Sequence, residues 1–301
     1  MREIRQSAMV LLVGEQPAPN LLPVRHLEPD VAVLVYTDYT HRTAENLRRL
    51  LETSCRCLLH KVEAYDIPRA RDSLAHFLEE NVGGFSLIFN LTGGTKPMVL
   101  AAFELAHRRG APFVYVETRR DRTVLYVYSI SPQGTIGLEK QESLGTTITI
   151  DDYLRAYVGE YDKAEGFAPG EGGAFERAVY ATLEPHVDEI LPNVKVGGAI
   201  EIDLVIRQGN RIGIAEVKRG KAARKKRPIE QLATASAREF LGIHTRRFLI
   251  LGTAWDESQE SLRDLAKARD ITVIELPSFD EKGSLSAEDR EQLIERILER
   301  L

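Results

Sequence analysis

Ile200–Gly209, IEIDLVIRQG, followed directly by Asn210–Lys218, NRIGIAEVK, decides how the second half of this chain folds. Two apolar runs flank a Gly209-Asn210 pair, residue types suited to a two-residue hairpin turn. A hairpin centred there pairs positions whose numbers sum to 419. Asp203 then stands opposite Glu216, with Cβ atoms about 5 Å apart. Side chains alternate between the faces of a sheet, so Lys218 shares the face of Glu216. Carboxylates held opposite one another repel unless positive charge stands between them. A divalent metal, with Lys218 beside it, meets that need.

The chain has 301 residues, which suits roughly two domains of about 150 residues each. Its 43% apolar content supports ordinary globular cores, and a formal charge of −5 gives no global signature of nucleic-acid binding. Charge is uneven, however. Residues 1–150 carry 17 basic and 17 acidic side chains, and the remainder carries 23 and 28. Within that acidic half lies KRGKAARKKR, Lys218–Arg227, in which seven of ten residues are basic. The run starts at the lysine of the acidic couple. Arg219, Lys221, Arg224, Lys225, Lys226 and Arg227 are therefore read as a contact for a polyanion such as nucleic acid. Cys55 and Cys57 are the only cysteines and build neither a disulfide framework nor a zinc site by themselves. They read as reduced thiols in cytoplasm. The apolar segment Ala8–Val13 is too short for a signal peptide or a membrane span, so no membrane partner is expected.

The first half alternates strand-like and helix-like runs. Strands are expected at 8–13, 31–37, 56–62 and 85–90, and helices at 43–51, 70–80 and 97–109. A hairpin of 112–117 with 123–130 follows, and 146–150 reads as one more strand. The continuous apolar run VAVLVY suits a strand buried on both faces. This alternation predicts a parallel sheet covered by helices, a Rossmann-like domain over residues 1–150. The stretch 151–173 opens with a helical piece and then turns glycine-rich, which reads as a linker. Residues 174–301 form a second α/β domain, with helices at 174–183, 228–241, 257–269 and 286–301 around the hairpin and strands at 247–251 and 271–276.

Two loops of the first half carry polar residues where a parallel sheet binds ligands, at the carboxyl ends of its strands. One is Asn90–Met98, NLTGGTKPM, between a strand and a helix. Its glycines permit close backbone approach to a ligand, and free N–H groups at a helix start suit phosphate. The pattern is not the P-loop, which needs G-x-x-x-x-G-K-[ST]. The other is Gly14–Asn20, GEQPAPN, after the first strand. With Thr37 after the second strand, these loops are expected to make one polar cup.

NLTGGTKPM, together with VGEQPAPNLLPV, resembles the CARF-domain proteins of type III CRISPR defence. The spacing D-x12-E-x-K from Asp203 to Lys218 resembles the PD-(D/E)xK nuclease fold, although no Pro-Asp dipeptide precedes the hairpin. The combination resembles stand-alone CARF nucleases activated by cyclic oligoadenylate. The resemblance implies an N-terminal CARF domain and a C-terminal restriction-endonuclease-like domain. It also implies a homodimer that shares one cyclic tetra-adenylate across its two-fold axis. Thr92, Gly93, Gly94, Thr95 and Lys96 would contact the ring, and Gln16, Asn20 and Thr37 would line the same pocket. Asp203, Glu216 and the Val217 carbonyl would ligate Mn²⁺ or Mg²⁺. Lys218 would orient water or steady the transition state, and Glu176 would supply the acidic residue of the preceding helix. The substrate would be DNA, RNA or both. Two other functions fit the same residues: a ligand-sensing scaffold with an inactive nuclease domain, and a constitutive repair or restriction nuclease.

Overall fold

The computed structural model describes residues 6–119, 122–164, 166–198, 200–237, 240–280 and 283–301. They form two compact units. One holds the chain up to Ile148 together with Arg155–Tyr157, and the other holds Thr149–Leu154 and Val158–Leu301.

Among the described residues, the first unit is built on a seven-stranded sheet. Its strands are β1 (Ser7–Leu12), β2 (Val31–Tyr36), β3 (Arg56–Lys61), β4 (Ser86–Asn90), β5 (Phe113–Thr118), β6 (Thr123–Ile130) and β7 (Ile136–Leu144). They lie in the order β3-β2-β1-β4-β5-β6-β7. The first five run parallel, and β6 and β7 extend the sheet antiparallel. Helices α1 (Ala18–Leu27), α2 (His41–Leu51), α3 (Ile67–Val82) and α4 (Lys96–Arg109) make the returns between the parallel strands. β1 and β2 are almost wholly buried, the reason their sequences are uninterrupted apolar runs.

Two expectations for this unit are corrected. Residues 146–150 are not a strand. Thr149 and Asp152 cap each other there, the Asp152 carboxylate accepting the Thr149 N–H and the Thr149 hydroxyl accepting the Asp152 N–H, both at 3.0 Å. Such a capping box starts a helix, and α5 (Ile150–Val158) follows. Nor is Gly14–Asn20 wholly a loop, because α1 begins at Ala18 with proline in its first turn, where no N–H is needed. Pro23 lies inside this helix and cannot donate to the carbonyl four residues back, that of Pro19. The Asn90 side chain replaces the missing donor, giving its Nδ2–H to Pro19 O at 2.8 Å.

Among the described residues, the second unit is built on a six-stranded sheet in the order β13-β12-β11-β10-β9-β8. Its strands are β8 (Tyr161–Lys163), β9 (Glu189–Val196), β10 (Ile200–Gln208), β11 (Arg211–Lys218), β12 (Arg246–Leu251) and β13 (Ile271–Glu275). β8 to β11 form an antiparallel meander, and β12 and β13 join parallel to β11. Around it lie α6 (Glu171–Leu183), α7 (Arg227–Ala235), α8 (Glu260–Ala268) and α9 (Ala287–Arg300). Phe175, Val179 and Leu183 of α6 and Leu293 and Ile297 of α9 pack with Leu204, Ile206, Ala215 and Val217 in one core. Much of the stretch 151–173 is regular structure. It contains most of α5, the strand β8 that pairs with β9, and the start of α6. Residue 165 lies outside the described residues. The helix expected over 228–241 ends at Ala235, and its residues 238 and 239 also lie outside them. Among the described residues, no helix is long and apolar enough to cross a membrane.

Candidate functional site

β10 and β11 pair in the register that the Gly209-Asn210 turn predicts, with Leu204 opposite Ala215 and Val205 opposite Ile214. The next pair outward is Asp203 and Glu216, beyond the last main-chain pair. There the Asp203 carboxylate takes over, its Oδ2 accepting the Val217 N–H at 2.7 Å. Lys218 stands on the same face, as alternation requires. Its ammonium donates to Asp203 Oδ2 and lies 2.8 Å from Glu216 Oε2. The positive charge between the two carboxylates is thus the chain's own lysine.

The setting is nearly dry. Side-chain exposure is 2% for Glu216, 17% for Asp203 and 20% for Lys218. Burial first, and the Asp203 charge second, push the Glu216 carboxyl up to about 8. Burial also works against the Lys218 charge, but Asp203 and Glu216 outweigh it and hold the ammonium above its usual range. Glu176, half-buried on α6, is raised to about 7 by burial and then by Asp203. It feels the cluster without joining it. Among the described residues, no three His, Cys, Asp or Glu side chains are grouped closely enough to hold a metal. The pair Asp203 and Glu216 nevertheless suits a hard divalent cation, which needs only one or two protein carboxylates besides substrate oxygens and water. One observation favours that fit. Glu216 Oε2 is buried without a well-aligned hydrogen-bond donor, since the Lys218 contact is close but off axis.

The basic run divides by environment. Arg219 is tied down. It stacks over the Phe279 ring at 4.8 Å, donates to Phe279 O and pairs with Glu171, both at 3.2 Å. Lys226 pairs with Glu230 at 2.9 Å, and Arg224 reaches Asp256 at 3.9 Å. Lys221, Lys225 and Arg227 are exposed. Ala223 anchors the run, buried, with its carbonyl accepting the Trp255 indole N–H at 2.8 Å. Trp255, 5% exposed, is accordingly a packing residue. Gln231, Arg227 and Glu201 line a cavity of about 240 Å³ at the start of β10.

In the first unit the two polar loops do meet, and they are locked together by their own side chains. Asn90, wholly buried, donates to Pro19 O and to Asn20 Oδ1 and accepts from the N–H and hydroxyl of Thr92. Asn20, equally buried, donates to Leu12 O at 2.9 Å. Thr92 accepts the Val116 N–H, and Thr95 donates to Ala64 O while capping α4. A Cβ on Gly93 would sit 2.2 Å from Leu12 O, and Gly94 holds φ +74° against Leu12. The glycines are therefore demanded by contacts within the protein itself. Thr37 caps its own turn through Thr40. Lys96 is exposed at the first residue of α4. Gln16 Oε1 accepts the Tyr157 hydroxyl at 3.2 Å. Sequence reading passed over Asn90 as the organising side chain. It also missed Tyr39 and Tyr65, exposed by 75% and 82% after β2 and β3, at the carboxyl edge of the sheet.

Residues 8–153 match the family model of the Card1 CARF domain. No curated protein matches the chain. Among solved structures, Can2 from Sulfobacillus thermosulfidooxidans in complex with cyclic tetra-adenylate is similar at a TM-score of 0.72 and 17% identity. The match covers 98% of this chain and 99% of that one. Protein VC1899 from Vibrio cholerae is similar at 0.71 and 13% identity, with 96% of each chain covered. A type III CRISPR defence DNA nuclease activated by cyclic oligoadenylate is similar at 0.65 and 18% identity. That match covers 97% of this chain and 52% of the nuclease. At these identities the structural likeness is one of fold. The N-terminal expectation, a Rossmann-like CARF domain, holds, and the remainder is a further α/β region within a Can2-like fold.

Proposed function

From a chain whose residues 8–153 are a CARF domain of the Card1 type, we propose a metal-dependent endonuclease of type III CRISPR defence that a cyclic oligoadenylate switches on. The observation that carries this reading is the buried cluster of Asp203, Glu216 and Lys218 at the open end of the β10–β11 ladder. The fold shared with Can2, solved with cyclic tetra-adenylate, supports the choice of activator.

Asp203, Glu216 and the Val217 carbonyl would hold Mn²⁺ or Mg²⁺. When bound, the ion supplies Lewis-acid charge and lowers the pKa of water at neutral pH. Lys218 stays protonated, so it acts as a hydrogen-bond donor to the phosphate or the attacking water and not as a base. Glu176, raised to about 7 by burial and then by Asp203, would take or return a proton near neutrality. Exposed Lys221, Lys225 and Arg227 attract the phosphate backbone of DNA or RNA. In the CARF domain, Lys96 at the start of α4 and the N–H groups of Gly93–Lys96 suit ring phosphates. Tyr39 and Tyr65 offer faces for adenine. A ring with two-fold symmetry fits a homodimer, in which each protomer presents the same patch. Reduced thiols at Cys55 and Cys57 suit the cytoplasm.

Plasmid and labelled single strands, incubated with Mn²⁺ or Mg²⁺ with and without cyclic tetra-adenylate, test the reading. Cleavage that needs both ion and ring is expected. Equal cleavage without the ring would point to a constitutive nuclease, and none under any condition to a sensing scaffold.

A further inference from the structure

Gln16 follows β1 at the carboxyl edge of the first sheet, among the loops that form the polar cup. Its two amide atoms are in unequal situations. Oε1 accepts the Tyr157 hydroxyl at 3.2 Å. Nε2 is buried and has no hydrogen-bond partner among the described residues. An amide donor shut away from water and left unpaired is unfavourable, so the group gains by turning to any acceptor that can reach it. In the present state none can. The donor is closed to solvent, and hence to a dissolved ligand, while the phenol holds the other end of the amide. Tyr157 is itself fixed. It is 8% exposed, and its carbonyl accepts Asn46 Nδ2 at 3.5 Å from α2.

We propose that Tyr157 is a positioning residue for the activator: it latches Gln16 away from the cup, and a nucleotide bearing acceptor oxygens or ring nitrogens must win the amide from it. Binding then exchanges one hydrogen bond for another and relieves the unpaired donor. Ligand and latch oppose each other, and by linkage whatever weakens the latch strengthens binding. The inference rests on the reading of the cup as a cyclic-oligoadenylate site.

Calorimetric titration of the full-length protein with cyclic tetra-adenylate tests it without involving nuclease chemistry. Tyr157→Phe keeps the ring packing and removes the latch. It is expected to bind about 2- to 10-fold more tightly, the range that one neutral hydrogen bond gives. Gln16→Leu is expected to bind more weakly than the unmodified protein, and adding Tyr157→Phe to it should bring no gain. General structural damage would weaken binding, so the sign separates the two explanations. Unchanged or weaker binding by Tyr157→Phe overturns the proposal, as does a gain that survives in the Gln16→Leu background. Failure of the unmodified protein to bind the ring would remove the nucleotide reading of the cup and the latch together, whereas normal binding with an indifferent Tyr157 removes the latch alone.

Discussion

Asp203 Oδ2 accepts the Val217 N–H at 2.7 Å and so continues by side chain a ladder whose main-chain pairing stops at Leu204 and Ala215. The same oxygen takes a hydrogen bond from Lys218. Where the two strands cease to pair directly, each still held by its other neighbour, the gap is bridged by the groups proposed for catalysis.

Removing Glu216 should therefore separate chemistry from sensing. Glu216→Ala is expected to lower cleavage at least 100-fold while cyclic tetra-adenylate binds as before, because the ring is assigned to the other unit. Calorimetry and a plasmid assay on one preparation decide it. Comparable turnover in the variant removes Glu216 from the site.

Lys218→Met should be more damaging to stability than to shape. It leaves two carboxylates facing each other, one of them 2% exposed. Breaking a buried pair by removing one partner costs about 3–5 kcal/mol. A lowered melting temperature is expected in EDTA, with recovery on adding Mn²⁺, since a divalent cation restores the missing charge. A variant as stable as the parent in EDTA would show that Lys218 does not neutralise the couple.

The raised carboxyl of Glu216 sets a pH dependence. Its proton is bound more tightly in the folded chain, at about 8, than at the ordinary value of 4.5. The folded state then holds more protons between those values, so this group's contribution is complete below 4.5 and is lost as pH rises through 8. Glu176, raised to about 7, acts in the same direction. Urea unfolding of metal-free protein is expected to show stability falling from pH 5 to pH 8, with a shallower fall in Glu216→Gln. An identical slope in that variant would place the titration elsewhere.

Gly93→Ala and Lys96→Ala should fail in different ways. A Cβ on Gly93 would meet Leu12 O at 2.2 Å, so the loop must move, at a cost of about 1–3 kcal/mol typical of overpacking. Lys96 is exposed and makes no such demand. Thermal unfolding should fall for the glycine variant only, whereas weaker ring binding with normal stability is expected for Lys96→Ala. Unaltered affinity there would take Lys96 out of the cup.

The basic run should split in the same manner. Each of Lys221, Lys225 and Arg227 replaced by alanine is expected to flatten the salt dependence of nucleic-acid binding by about 0.7–0.9 in the log–log slope. Arg219→Ala, losing its stack on Phe279 and two polar contacts, should lower stability and leave that slope in place. Filter binding across a salt series measures the slopes.

Local rules made much of this legible. The period of two and the Gly209-Asn210 turn were enough to set Leu204 against Ala215 and to bring Asp203 and Lys218 together, because a hairpin's register follows from its turn. The buried parallel strands announced themselves as apolar runs. Other elements were silent. β7 is an exposed strand, IGLEKQESL, whose side chains carry no burial pattern. α1 hides behind three prolines, and the side chain of Asn90, 71 residues on from Pro19, supplies the donor that its interior Pro23 lacks.

Composition, spacing and turn chemistry by themselves determined that this chain is two α/β units, which strands pair across the hairpin, and which carboxylates and lysine share a face. Tertiary structure alone decided what those groups and loops do for one another. Lys218 neutralises the acidic couple, Arg219 is spent on Phe279, and the paired glycines serve the approach of Leu12. The reason is physical. Register and periodicity act between neighbours in a strand or turn, whereas burial, charge balance and close approach depend on residues that meet only once the chain has folded.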